Sequence, residues 1–162
     1  MQRGFAVRVA MTRSAQEFVG AVTFAGLTGR PAITSATQID PDGAAPHVTV
    51  VKAARCMVIA PATADLLAKL AAGVCDDPVT LAAVVAKCPR LVCPAMNDAM
   101  WQDAIVQRNV GTLRAAGFQF LDPVVGHLAE GYDAVGRMVE PEVIAAEVAR
   151  LAGVSRSGRG PQ

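Results

Sequence analysis

The chain has 162 residues, 15 of them Lys or Arg and 14 Asp or Glu, for a formal net charge of +1. That length suits one domain with a single core, and the balanced charge excludes a nucleic-acid surface or an acidic tail. Hydrophobic residues make up 52% but aromatics only 4%, so the core must be mostly Ala, Val and Leu, as where helices lie close on a sheet. Small molecules or further copies of the chain are the expected partners.

Phe5–Met11 reads as a strand closed by the polar Thr12, Arg13 and Ser14, and a helix follows from about Ser14 to a Gly-rich break at Gly26 to Gly29. Residues 30–46 hold three prolines without periodicity and read as a surface loop. Cys56–Ala60 and Leu91–Cys93 are short, wholly apolar runs, the pattern of strands covered on both faces. Between them Thr63 caps a helix that Gly73 stops, and Asp77 caps another with Pro78 at its first position. A helix over Asp103–Ala116 closed by Gly117, a strand over Phe118–Leu121 and a last helix from Glu140 and Pro141 to near Gly153 complete the plan. Residues 154–162 carry almost no apolar side chains and read as a disordered tail behind a single domain over 1–153. Strands alternating with helices predict an α/β fold, a Rossmann-like, doubly wound parallel sheet with helices on both faces.

The four cysteines, Cys56, Cys75, Cys88 and Cys93, form no Cys-x-x-Cys pair and, with only His47 and His127 elsewhere, give no metal pattern. No run is long and apolar enough for a membrane span or a signal peptide, so a reducing cytoplasm is the expected compartment. Both central strands run into a proline and then polar residues, Pro61 to Asp65 and Pro94 to Asn97. Ligands of open parallel sheets bind beyond the carboxyl ends of the strands, which assigns these two loops to one crevice.

Pro94–Trp101, Pro-Ala-Met-Asn-Asp-Ala-Met-Trp, matches the Pro-x-Met-Asn-x-x-Met-Trp signature of the flavin-containing cysteine decarboxylases. Ala60–Asp65 and Gly73–Asp77 resemble that family's flavin-contacting loop and the segment after it, and Gly126–Pro141 resembles the substrate clamp of its phosphopantothenoylcysteine branch. The resemblance runs from about Phe5 to Leu151. It implies an FMN-dependent carboxy-lyase, trimeric or trimer-based, with the active site between subunits. The reaction it implies oxidises the cysteine end of the substrate toward a thioaldehyde, releases carbon dioxide to give an enethiol and, in the coenzyme A branch, reduces that to phosphopantetheine.

The resemblance makes His47 the catalytic base, a task that imidazole suits near neutral pH, and Asn97 the substrate-binding amide. A neutral amide bonds a departing carboxylate without opposing its loss of charge. Composition alone leaves His47 an exposed loop residue and Asn97 a helix cap. The resemblance assigns further substrate contacts to His127, Ala129 and Met138 in the clamp, and flavin contacts to Thr12, Phe18, Thr63, Ala64, Asp65, Leu66 and Ala95. Leu66 replaces a residue that is commonly Thr.

Two departures stand out. Glu130 occupies the position of the clamp cysteine used in the final reduction. It either substitutes as proton donor, should burial raise its pKa, or leaves the reaction at the enethiol, as in the peptidyl-cysteine decarboxylases of lantibiotic synthesis. A non-catalytic flavin-binding paralogue is the remaining alternative, and a pure scaffold needs neither His47 nor Asn97. The second departure is the start: the family's phosphate-binding strand, Gly-rich turn and helix are expected before Met1, roughly two dozen residues that this sequence lacks.

Overall fold

The structure, a computed structural model, describes residues 4–153, so the expected disordered tail lies outside the described residues. The residues group into two compact units: the described part of Met1–Ala54 with Lys69–Lys87, and Arg55–Ala68 with the chain from Cys88 onward.

In the first unit the expected strand over Phe5–Met11 is reduced to one parallel bridge, Ala10 to Ile33. The Met11 N–H donates to Ile33 O at 2.9 Å and the Ile33 N–H to Val9 O at 2.8 Å. Residues 30–46 are therefore not all surface loop, since Ala32 and Ile33 are buried, Ile33 at 2% exposure. Helix α1 (Arg13–Phe18) is capped by Thr12, and α2 (Ala21–Thr28) follows it. The break falls at Val19 and Gly20, not at Gly26, which lies inside α2, while Gly29 takes the left-handed cap. Helix α3 (Pro46–Ala53) starts on a proline at its first position, where no N–H is needed.

Helix α4 (Ala64–Ala72) runs across both units and ends at Gly73, and α5 (Pro78–Val85) returns to the first. At the head of α5 the Asp77 carboxylate accepts the N–H groups of Val79 and Thr80 at 2.7 and 3.1 Å, and Thr80 Oγ1 accepts from the Asp77 N–H, a reciprocal capping box. Helix α3, with Pro46 and Val51 buried, packs on α5, where Pro78, Val79, Thr80, Ala82 and Ala83 are buried.

The second unit holds a parallel sheet in the order β1 (Met57–Ala62), β2 (Arg90–Pro94), β3 (Phe118–Phe120). Strand β2 is central and buried from Leu91 to Pro94. Strand β1 is an edge and is largely exposed, with only Ile59 and Ala62 buried and Val58 at 37% exposure, so the expectation of cover on both faces holds for β2 alone. The edge position also explains how β1 runs on through Pro61: a proline lacking its N–H is tolerated there. The pairing slips by one residue between Ile59 and Ala62 before Ala62 meets Pro94.

Two helices connect β2 to β3, α6 (Asp98–Gln102) and α7 (Ala104–Ala115), the second capped by Asp103. An antiparallel hairpin follows, β4 (Val124–His127) and β5 (Asp133–Arg137), then α8 (Pro141–Leu151). No helix among the described residues is long and apolar enough to cross a membrane. A parallel sheet flanked by helices is the α/β, Rossmann-like arrangement that the alternating pattern predicts.

Candidate active site

The carboxyl ends of β1 and β2 lie side by side, and the Ala95 N–H donates to Ala62 O at 3.1 Å. The two polar loops expected to share a crevice are thus tied together by their backbones. Beyond β1, Thr63 Oγ1 accepts from the Leu66 N–H at 3.3 Å and starts α4, with Ala64 and Asp65 in the first turn. Leu66 is buried, so its side chain serves the core.

Beyond β2, Asn97 caps α6, its Oδ1 accepting from the Ala99 N–H at 2.9 Å. Capping uses only the oxygen of the amide. The nitrogen turns the other way and donates to Glu130 Oε1 at 2.9 Å and to the Tyr132 hydroxyl at 3.2 Å. Tyr132 donates in turn to Asp98 Oδ1 at 2.6 Å. That bond to the Asp98 carboxylate holds the phenol's pKa above its ordinary value.

The hairpin places these clamp residues. Its second strand lies against the loop that carries Asn97, the Met96 N–H donating to Gly136 O at 3.1 Å. A Cβ at Gly136 would run into Met96 O, so only glycine permits this approach. The turn closes through Leu128 N–H to Tyr132 O at 2.9 Å and Gly131 N–H to Leu128 O at 3.0 Å. Leu128 is buried beneath it, while Ala129, Glu130 and Tyr132 are exposed and Met138 is half-buried. His127 lies on the exposed side of the hairpin, its Nδ1 3.1 Å from Asp133 Oδ1.

The remaining expected residues belong to the first unit. Thr12 Oγ1 accepts from the Ala15 N–H at 3.1 Å, and Phe18 at the end of α1 is 88% exposed. His47 lies in the first turn of α3, half-buried, its Nδ1 buried without a hydrogen-bond partner among the described residues. A buried polar atom left unpaired is costly, about 1–3 kcal/mol.

The structure joins Asn97 to Glu130 by a hydrogen bond and adds Tyr132 and Asp98, neither of which the sequence singles out. The signal for Tyr132 was its place as the one tyrosine of the chain, two residues after Glu130 in a turn. Among the described residues no group of three His, Cys, Asp or Glu side chains could hold a metal ion.

Comparison with known proteins bears on the family and the fold. A sequence profile of the flavoprotein family matches residues 1–153. The coenzyme A biosynthesis bifunctional protein CoaBC of Mycobacterium tuberculosis is 45% identical over 138 residues, 85% of this chain and 32% of the relative. The CoaBC protein of Bacillus subtilis is 37% identical over 144 residues, 89% of this chain and 36% of the relative. The chain thus spans about a third of the length of the curated relatives it matches. Among solved structures, the FMN-dependent cysteine decarboxylase SpaF superposes with a TM-score of 0.75 at 33% identity, covering 90% of this chain and 79% of that one. A PPC decarboxylase mutant complexed with pantothenoylaminoethenethiol gives a TM-score of 0.80 at 27% identity, covering 95% and 86%.

Proposed function

Because the chain belongs to the flavoprotein family, we propose that it is an FMN-dependent carboxy-lyase that decarboxylates phosphopantothenoylcysteine in coenzyme A biosynthesis. The observation that carries this reading is the 2.9 Å bond from Asn97 to Glu130, since it sets the residue at the clamp-cysteine position beside the amide expected to hold the substrate carboxylate.

The chain's own residues suit the flavin. Thr12 and Thr63 spend only an oxygen lone pair on their helix N–H groups, so each hydroxyl keeps its hydrogen to donate toward the carbonyl rim of an isoalloxazine. Ala64, Asp65 and Ala95 would line it, and Phe18 would offer an aromatic face. Bound FMN supplies the oxidation of the cysteine end and the later reduction of the enethiol. His47 takes the proton released in the oxidation, and its unpartnered, buried Nδ1 supports that role. Asn97 orients the carboxylate through a neutral N–H. His127, Ala129 and Met138 line the clamp over the substrate, and Glu130 returns a proton in the final reduction.

A second reading, release of the enethiol from a peptidyl or other cysteine conjugate, is favoured by the exposure of Glu130, because the donor role needs burial that only clamp closure would bring. The reading also includes a homo-oligomer, trimeric or trimer-based, supported by the exposed Phe18, Val22 and Leu27 on α1 and α2. A cytoplasmic setting is supported by four cysteines that are all free. Flavin-loaded protein given phosphopantothenoylcysteine should release carbon dioxide and yield a product with the mass of phosphopantetheine. An enethiol product would select the second reading, and absence of carbon dioxide would overturn both.

A further inference from the structure

We propose that Tyr132 is a positioning residue that aims Asn97 at a ligand carboxylate and is itself set by Asp98. The proposal rests on the decarboxylase reading and deepens it at the same site.

The Asn97 amide is fixed at both ends. The Ala99 N–H holds the oxygen, so the amide nitrogen must face the clamp. That nitrogen carries two hydrogens, and each has one acceptor: Tyr132 at 3.2 Å and Glu130 Oε1 at 2.9 Å. A phenol is a rotor that can present either its hydrogen or its lone pairs. Here the hydrogen is committed to Asp98 at 2.6 Å, so the oxygen meets Asn97 as an acceptor. The bonds thus run one way, from Asn97 to Tyr132 to Asp98.

One amide hydrogen is consumed in holding the amide plane, and the other points at an acceptor of a single kind. In this structure that acceptor is a carboxylate oxygen, Glu130 Oε1. A substrate carboxylate fits the same hydrogen in the same direction. Its arrival displaces Glu130 from Asn97 while leaving Glu130 in the clamp beside the reacting carbon, where the final protonation is needed. No cation takes part, so the departing carboxylate is oriented without its charge being stabilised, as loss of carbon dioxide requires.

Two unreactive probes test this by calorimetry on the flavin-loaded protein: phosphopantothenoylserine, which keeps the carboxylate but replaces the thiol, and phosphopantothenoylethanolamine, which lacks the carboxylate. Wild type should prefer the serine probe. Tyr132→Phe should weaken that probe about tenfold, the worth of one well-aligned hydrogen bond, and leave the ethanolamine probe within about twofold. Asp98→Ala should do the same, Asp98→Asn should retain binding because its amide oxygen still accepts from the phenol, and Tyr132→Phe with Asp98→Ala should be no worse than either alone. Equal weakening of both probes by Tyr132→Phe would reveal a merely structural role and overturn the proposal, as would no change in either. Failure of wild type to bind either probe would instead overturn the decarboxylase reading, and this proposal with it.

Discussion

The two residues on which the proposed chemistry turns, Asn97 and His47, sit in opposite kinds of surroundings. Every polar atom of the Asn97 side chain is engaged, by its own helix and by the clamp. The His47 side chain keeps a buried nitrogen with no partner among the described residues. A fully bonded amide is a preorganised binding element, whose direction is set before anything arrives. An unpartnered imidazole nitrogen is destabilising in the resting chain and remains available to a proton. The contrast separates orientation from proton transfer, and substitutions at the two places should fail differently.

The largest effect is expected at Asn97→Asp. Aspartate also caps helices, so α6 should persist. The new carboxylate, however, faces Glu130 across the former hydrogen bond and adjoins Asp98. Carbon dioxide release should fall on the order of a thousandfold with flavin retained, as when a preorganised donor is lost. Near-normal turnover of the flavin-loaded variant would remove Asn97 from the chemistry. His47→Asn should lower the rate somewhat less, roughly a hundredfold or more, by removing the base before carboxylate loss. Substrate added without oxygen should then no longer bleach the flavin, and stability should stay within about 1 kcal/mol of wild type because no hydrogen bond of Nδ1 is broken. Rapid bleaching in that variant would move the proton elsewhere.

Gly136→Ala tests whether the hairpin is what preorganises Asn97. A methyl there meets Met96 O, so the strand must lift from the Asn97 loop, at about 2–3 kcal/mol. Thermal stability and substrate affinity should fall together, while a wild-type melting temperature would show that the loop yields easily. Glu130→Gln is milder. It still accepts from Asn97 but gives up no proton at neutral pH, so carbon dioxide release should continue within a few-fold while an enethiol, lighter by two hydrogens, accumulates. Saturated thiol from both wild type and variant would make Glu130 a bystander.

Much of the fold was legible because it is written in local signals. Asp77 followed by Pro78, Asp103, Thr63 with Gly73, and the run at Leu91–Cys93 each mark a cap, a stop or a buried strand, and each stands where read. The misreadings are positions where a partner distant in sequence decides. Ile33 is buried because Ala10 bridges it, and β1 outlasts Pro61 because it is an edge. At the site the sequence delivered Asn97 and Glu130 through a recognisable motif. Tyr132 carried only a weak signal, as the one tyrosine of the chain, since its value lies in a bond to Asp98 across 34 positions that the hairpin register creates. His47 was identified, but the burial of its Nδ1 is a matter of packing that its place beside Pro46 does not announce.

The smallest expected effect separates the scaffold from the chemistry by pH. Burial pushes the thiols of Cys56, at the entry to β1, and Cys93, inside β2, up to about 11 from an ordinary value of 9.0. A raised thiol pKa means that the unfolded chain ionises first. The stability linked to these thiols is therefore complete below about pH 9 and is lost as pH rises toward 11. Well below pH 9 both states keep these thiols protonated, so they contribute almost no slope there. Melting temperatures measured across pH 7 to 10.5 should stay level in their thiol-linked part to about pH 8.5 and decline above it. Cys56→Ala with Cys93→Ala should flatten the alkaline decline even if the starting stability is lower, because the slope reports proton release and not packing. An unchanged alkaline slope in the double variant would show that other groups govern it, and the contrast between Asn97 and His47 would have to be tested at a pH chosen without reference to these thiols.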